Sequence, residues 1–230
     1  MFVMCSGAFI DAFRELLPAF ERKNGLAVTT IEGSSLGDTP RSIPGRLRRG
    51  EAADMAILFD DVIDRLISEG VVLPLSKADL ASSSIGVAVR AGGIAPDIGS
   101  VEGLTRALVA ARSIAYSSSR SGTYVSTELI ARLGIAADVV SKAYRVENRR
   151  VGDVVAEGGA DIGFQQLSEL LPIKGITVLG PIPDEVQQFT VLSATIPVRG
   201  TKPDAARALV AHLTSADSAE ILRRRGLNPI

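Results

Sequence analysis

Three stretches of this 230-residue chain combine serine hydroxyls with the expected first turn of a helix. They are Ser6-Gly7, Gly33-Ser34-Ser35 and Ser119-Arg120-Ser121-Gly122-Thr123, and each follows a short β-like run. The N–H groups of a first helical turn lack partners within the helix, and the helix dipole adds about half a positive charge there. Such turns bind small anions. For the third stretch the alternative is that Ser119 or Ser121 only caps the helix.

The composition argues against several other functions. The formal net charge is −1, so a nucleic-acid binder with a broadly basic surface is not expected. The chain has no Trp and only 4% aromatic residues, which argues against an aromatic platform for bases or sugars.

The chain has one cysteine and one histidine, which restricts the metal sites and catalytic nucleophiles that it can build. Cys5 is the only cysteine, which excludes an intrachain disulfide and a cysteine-based metal site. His212 is the only histidine, which excludes a metal site built on a histidine pair. It lies in an apolar helix pattern without polar neighbours that form a catalytic set, so we expect a structural role. We expect neither a metal nor a cofactor.

No run of about 18 apolar residues is present, so no membrane insertion is expected. The chain starts without a basic segment or a small-residue cleavage site. We therefore expect a periplasmic protein if a leader has been removed, and a cytoplasmic one if Met1 is the native start.

The elements that position the serine turns follow an alternating pattern. Within the first 75 residues, apolar spacing predicts strands at 2–5, 26–31 and 55–59, and helices at 8–23, 41–49 and 60–69. This alternation predicts an α/β fold with a largely parallel sheet and helices on both faces.

The regular strand and helix pattern is interrupted at 82–84, and we expect a second lobe to begin there. Its predicted strands are 84–90, 113–116, 142–146, 161–164 and 175–179, and its predicted helices are 101–112, 123–133, 136–141 and 150–157. A long strand at 188–198 predicts the crossing back, before helices at 203–214 and 218–225. We therefore expect lobe 1 at 1–84 plus 191–230, lobe 2 at 85–190, and a hinge formed by the two crossing strands. Because ligands of open α/β sheets bind beyond the carboxyl ends of strands, we expect the three turns to face one cleft.

Several motifs together carry a family resemblance. They are Ser6-Gly7, Gly33-Ser34-Ser35, Gly50-Glu51-Ala52-Ala53-Asp54, Ser121-Gly122-Thr123-Tyr124 and the run from Val154 to Gly163. With them the whole chain resembles the molybdate-binding family of type II periplasmic binding proteins. The resemblance implies two lobes, each a mixed, mostly parallel sheet flanked by helices. It also implies a monomer that captures a small anion in its cleft for an ABC importer.

The resemblance also implies ligand contacts from serines, a helix-start amide and the residue after Phe164. In the family that the chain resembles, the position after Phe164 is a tyrosine, and here Gln165-Gln166 stand in its place. Residues 38–44 also depart from the family pattern. An amide pair with nearby arginines suits a larger, carboxylate-bearing ligand. The candidate ligand-binding residues are Ser6, Ser34, Ser35, Thr39, Arg41, Ser119, Ser121, Gly122, Thr123, Val151, Gln165 and Gln166.

Three segments resemble a branch of this fold that includes aconitate isomerase: 37–47, 121–126 and 163–172. The allylic shift of a double bond needs a base that takes a proton beside a carboxylate. It also needs hydrogen-bond donors that hold the developing enolate. Asp38 and Tyr124 are candidate bases, and Glu32 is a third candidate. Arg41 or Arg120 would hold a carboxylate. Two hypotheses therefore stand, an anion-binding protein and an isomerase of an unsaturated polycarboxylate.

Overall fold

The computed structural model describes residues 1–37 and 39–230. It divides them into two compact units, unit 1 with Met1–Ser83 and Thr190–Ile230, and unit 2 with Ser84–Phe189. Asp38, a candidate base, lies outside the described residues.

Strands occur in both units. In chain order they are β1 (Phe2–Ser6), β2 (Thr29–Gly33), β3 (Met55–Phe59), β4 (Ala78–Ser83), β5 (Ile85–Arg90), β6 (Ile114–Ser117), β7 (Ala143–Val146), β8 (Ile162–Gln166), β9 (Ile176–Pro181), β10 (Thr190–Thr195) and β11 (Leu227–Pro229).

Helices connect most of these strands. In chain order they are α1 (Gly7–Asn24), α2 (Ile43–Arg48), α3 (Asp60–Ser68), α4 (Val101–Ala110), α5 (Arg120–Tyr124), α6 (Ile130–Arg132), α7 (Ala136–Val139), α8 (Val151–Ala156), α9 (Leu167–Leu170), α10 (Pro203–Leu213) and α11 (Ala216–Arg224). A π-helical turn, Val125–Leu129, joins α5 to α6. Across 1–37 and 39–230, none of the helices has the length and apolar character needed to cross a membrane.

Unit 1 is built on a six-stranded sheet with the order β11-β4-β10-β3-β1-β2. β1 is parallel to β2 and β3, whereas β10 is antiparallel to both of its neighbours, β3 and β4. The amphipathic helix α1 buries Phe9, Phe13 and Phe20 in the core of this unit, as the sequence spacing predicts. It ends at Gly25, whose φ of 61° is the left-handed conformation that glycine adopts most easily.

Unit 2 is built on a five-stranded sheet with the order β7-β6-β8-β5-β9. β6 is parallel to β7 and β8, and β5 is antiparallel to β8 and β9. The carboxyl ends of β6 and β8 therefore lie at one edge of the sheet. The end of β5 lies at the opposite edge, together with the start of β8.

The predicted α/β class and the strand–helix series of the first 69 residues are confirmed. The sheets are mixed rather than mostly parallel, because antiparallel pairs outnumber the two parallel pairs in unit 1 and equal them in unit 2. Two strands, β4 and β11, were not predicted, because Ala78–Ser83 and Leu227–Pro229 lack an alternating apolar pattern. The helix expected to begin at Thr123 begins three residues earlier, at Arg120. Helix α1 continues through Pro18 to Asn24.

Candidate functional site

The ends of β1 and β2 bring together two serines in unit 1. The strands are parallel neighbours, and their register pairs Ser6 with Gly33. Ser35, just beyond β2, donates its Oγ proton to Oγ of Ser6 at 2.8 Å, and both residues are 3% exposed. Ser6 precedes α1, but its side chain makes no capping hydrogen bond. Since Ser6 accepts from Ser35, it keeps its own proton as a donor. We call Ser6 and Ser35 the unit 1 serine pair.

The other candidate residues of this turn are more exposed. Ser34 uses its hydroxyl locally, accepting from the N–H of Leu36 and donating to its carbonyl at 3.1 Å each. The carbonyl of Thr39 accepts from the N–H and hydroxyl of Ser42. Arg41 is exposed and forms no ion pair with a described residue. Of the two serines predicted here, Ser35 is therefore the one joined to Ser6.

Gly33 allows the segment that carries Arg41 to approach the end of β2. A Cβ on Gly33 would lie 2.9 Å from the carbonyl oxygen of Arg41 and 2.8 Å from Cγ1 of Ile43. The N–H of Ile43 donates to the carbonyl of Ser34 at 2.8 Å. The backbone of Arg41 is thus held beside the serine turn.

A second set of serines follows β6 in unit 2 and is centred on Ser117, which was not among the predicted site residues. Oγ of Ser117 lies 2.9 Å from Oγ of Ser119 and 2.9 Å from Oγ of Ser121, and it accepts from the N–H of Gly122 at 3.2 Å. Ser117 is 5% exposed and Ser121 is fully buried. We call Ser117, Ser119 and Ser121 the unit 2 serine cluster. The run of serines directly after a predicted strand was the available sequence signal for Ser117.

The alternative of a serine that only caps this helix is not what the structure shows for Ser119. Ser119 occupies the N-cap position but its side chain makes no capping hydrogen bond, and the side chain of Ser117 receives the first-turn N–H instead. The backbone N–H and hydroxyl of Thr123 both donate to the carbonyl of Ser119. Both donors of Thr123 are therefore engaged, whereas the N–H groups of Arg120 and Ser121 precede the intrahelical hydrogen bonds.

Gly122 lets the backbone of this helix come very close to the end of β6. A Cβ on Gly122 would lie 1.6 Å from the carbonyl oxygen of Ser117. No side chain fits there without displacing the strand. The position of the unit 2 serine cluster at the start of the helix therefore depends on glycine at 122.

Two of the residues predicted to contact the ligand, Val151 and Gln165, are hydrogen-bonded to each other. The N–H of Val151, at the start of α8, donates to Oε1 of Gln165 at 2.8 Å. Val151 is fully buried and Gln165 is 4% exposed. In this structure Gln165 accepts the N–H proton of Val151 that the resemblance assigns to a ligand. With its oxygen engaged, the Gln165 amide offers its nitrogen as a donor. Gln166 is also buried, at the end of β8.

Two candidate bases have structural partners. The hydroxyl of Tyr124 donates to the carbonyl of Val186 at 2.6 Å and accepts from Nη1 of Arg132 at 2.9 Å. Glu32 is exposed and pairs with Arg14 at 3.1 Å. The phenol of Tyr124 thus connects parts of unit 2, and a general base needs a free proton acceptor.

His212 contacts backbone and an aromatic ring. Its Nε2 lies 3.1 Å from the carbonyl oxygen of Leu16, and its ring centroid lies 5.8 Å from that of Phe20. These contacts agree with the structural role expected for it. Within residues 1–37 and 39–230, no three His, Cys, Asp or Glu side chains are grouped so as to hold a metal ion.

Comparison with known proteins places this architecture in a family. Residues 1–228 match the model of a family described as bacterial extracellular solute-binding protein. An aconitate isomerase from a Pseudomonas species is 40% identical over 228 residues, which span 99% of this chain and 87% of that relative.

Two solved structures share the fold at low sequence identity. The periplasmic molybdate-binding protein of Azotobacter vinelandii has a TM-score of 0.78 and 21% identity, covering 99% of this chain and 98% of its own. The sulfate-binding protein of Mycobacterium tuberculosis has a TM-score of 0.76 and 18% identity, covering 100% of this chain and 86% of its own. The type II periplasmic-binding-protein fold expected from the sequence is confirmed, and this chain belongs to the bacterial extracellular solute-binding protein family.

Proposed function

We propose that this protein captures a small polycarboxylate anion with the unit 1 serine pair and the unit 2 serine cluster. Both sets hold buried hydroxyls at the point where a strand leads into a helix, and first-turn N–H groups lie beside the second set.

The hydrogen bond between Val151 and Gln165 carries the choice of ligand class. It removes a backbone donor that would suit a compact oxyanion and puts a side-chain amide in its place. An amide nitrogen extends further from the backbone than an N–H group and donates to a carboxylate. The exposed guanidinium of Arg41 supports the same class, because arginine pairs with carboxylate through two parallel hydrogen bonds. The relative named aconitate isomerase also supports a tricarboxylate.

Titration calorimetry tests this proposal. We expect cis-aconitate, trans-aconitate or citrate to bind more tightly than molybdate or sulfate. Arg41→Ala should weaken the polycarboxylate about tenfold, the effect of one charge-assisted contact, and change any oxyanion affinity little. Arg22→Ala, at another exposed arginine of unit 1, is the matched control. Binding of molybdate or sulfate alone would contradict the polycarboxylate assignment.

Isomerisation of the bound ligand is a second candidate function, favoured by 40% identity to aconitate isomerase over nearly the whole chain. In such a shift a base takes a proton from the methylene carbon, the double bond moves, and a proton returns at the former alkene carbon. Hydroxyl and N–H donors of the serine turns would stabilise the enolate formed in between. With the hydroxyl of Tyr124 engaged, Asp38 is the candidate base that we retain.

Proton NMR in D₂O separates the two functions. Interconversion of cis- and trans-aconitate with deuterium incorporation would establish the isomerase, and Asp38→Asn should then abolish turnover while keeping binding. Tight binding without interconversion would leave capture as the function.

The family description supports a location outside the cytoplasm. We propose a periplasmic monomer that delivers its ligand to the membrane component of an ABC importer if capture is the function. Cell fractionation tests the location, and light scattering tests the monomer.

A further inference from the structure

Unit 2 contains a cavity of about 560 Å³ that is separate from the serine cluster. It is bordered by the last residues of β5, Val89 and Arg90, by the end of α4, and by residues 160–162 at the start of β8. The unit 2 serine cluster follows the end of β6. Because β6 runs parallel to β8 and β5 runs antiparallel to it, the cavity and the cluster lie at opposite edges of one sheet.

The floor of this cavity is apolar. Val89, Ala107, Ala111, Ala160 and Ile162 line it, and each is at most 9% exposed. At the rim, Ile94 is 94% exposed although it is a large aliphatic side chain. A ligand with an apolar body would remove both surfaces from water, which is favourable in proportion to the area covered. The volume is in the range of about 300–1,000 Å³ that small-molecule sites occupy.

The charges around the rim leave one cation without a partner. Asp161 is neutralised by Arg112, whose Nε, Nη2 and backbone N–H all donate to it. Lys142 donates to the carbonyl of Val109 at the end of α4 and so offsets the partial negative charge there. Arg90 forms no hydrogen bond or ion pair through its guanidinium with a described residue. Its Nη1 would lie 3.3 Å from a Cβ on Gly158.

We propose that this cavity binds a small molecule with an apolar body and a single carboxylate, the carboxylate facing Arg90. The apolar floor selects the body, and the guanidinium is the rim group that complements a negative charge. This ligand differs from the polycarboxylate of the serine turns in having one charge and a large apolar surface.

Three rigid probes of one shape test the assignment: 2-naphthoate, 2-naphthalenemethanol and 2-naphthylmethylamine, titrated by calorimetry into the full chain. We expect saturable binding of naphthoate, about tenfold weaker binding of the alcohol, and weaker binding still of the amine. Absence of naphthoate binding, or equal binding of acid and alcohol, would overturn the proposal.

Two variants locate the binding. Ala110→Leu adds bulk at an exposed cavity residue and should weaken naphthoate at least tenfold, whereas Val109→Leu, exposed on the same helix outside the lining, should not. Arg90→Met should bring naphthoate down to the affinity of the alcohol, and Arg106→Met should leave it unchanged.

Saturating cis-aconitate distinguishes the cavity from the serine turns. We expect it to leave naphthoate binding intact, and competition between the two would overturn the separate site. Because the probe does not depend on aconitate binding, this result is independent of the proposed function.

Discussion

The serine turns of the two units reach similar chemistry through different backbone arrangements. In unit 1 the hydrogen bond joins Ser6 to Ser35, which are 29 positions apart and are brought together by two neighbouring strands. In unit 2 the contacts join residues of a single turn, from Ser117 to Gly122. The unit 1 pair therefore depends on the sheet register, whereas the unit 2 cluster depends on one tight strand-to-helix turn. In both, the N-cap serine leaves its side chain free of capping.

The largest expected difference comes from Gly122. Gly122→Ala would place a methyl group 1.6 Å from the Ser117 carbonyl oxygen, so we expect a loss of about 3 kcal/mol or more of unfolding free energy. Urea denaturation measures this loss, and Gly99→Ala, at an exposed glycine with a φ accessible to alanine, is the control. A loss below about 1 kcal/mol would show that the turn adapts and does not depend on close backbone contact.

A buried aspartate of unit 1 should have the next largest effect. Asp54 accepts the N–H of Phe2 on one oxygen and the N–H and hydroxyl of Thr201 on the other. An asparagine has only one acceptor oxygen, so Asp54→Asn should cost about 2–3 kcal/mol by denaturation. Asp161→Asn in unit 2, where Arg112 is exposed, should cost less.

The same aspartate predicts a dependence of stability on pH. Burial acts to raise the pKa of Asp54, but hydrogen bonds from Phe2 and Thr201 outweigh it and bring the pKa below its ordinary value of 3.8. The stabilisation is therefore complete above that ordinary value and is lost as the pH falls through the lower folded-state pKa. Acid denaturation should show a smaller loss for Asp54→Asn, and an unchanged profile would remove Asp54 as a cause.

Gln165 adds a side-chain amide to the candidate ligand-binding residues of unit 2, whereas none of the described candidates in unit 1 is an amide. Gln165→Ala leaves the buried N–H of Val151 without its acceptor, so we expect a loss of about 1–3 kcal/mol. Gln165→Glu keeps an acceptor for Val151 but replaces the donor with a negative charge. It should therefore retain more stability than alanine while weakening a polycarboxylate at least tenfold in calorimetry. Equal ligand affinity for Gln165→Glu and the wild type would show that this amide does not face the ligand.

The smallest expected changes in unfolding free energy come from removing one serine hydroxyl in each unit. Ser117→Ala removes the acceptor of the Gly122 N–H and the partner of two serines, so it should cost about 1–2 kcal/mol. Ser35→Ala removes one hydrogen bond and should cost about 0.5–1 kcal/mol. Chemical denaturation of both variants beside exposed Ser118→Ala measures the difference. The reverse order would mean that the sheet register of unit 1 matters more than the turn of unit 2.

Elements with their own apolar period could be predicted from the sequence, whereas those formed by pairing could not. β3 was predicted at its observed bounds because every residue of Met55–Phe59 is apolar and buried. β4 carries Asp79 and four serine or alanine residues, and it is a strand because β10 and β11 pair with it on both sides.

The candidate site was predictable to a similar degree. The serine turns follow from local composition, since each comes after a strand pattern. The bond between Val151 and Gln165 joins residues on α8 and β8, and a family resemblance alone assigned Val151 to the ligand. The early start of the helix at Arg120 depends on the Ser117 acceptor and on the space that Gly122 leaves, which are contacts rather than composition.

The position of β10 in unit 1 also sets an order of assembly during synthesis. This strand lies between β3 and β4, yet it is made after all of unit 2. Unit 2 is one continuous segment and has all its strands once residue 189 has been translated. Until Thr190–Thr195 emerges, β3 exposes one unpaired edge and β4 has no partner strand, because its other neighbour, β11, is made later still. Unpaired edges are prone to wrong pairing between chains. A nascent chain that pauses between 189 and 195 is therefore the form most open to aggregation and to chaperone binding.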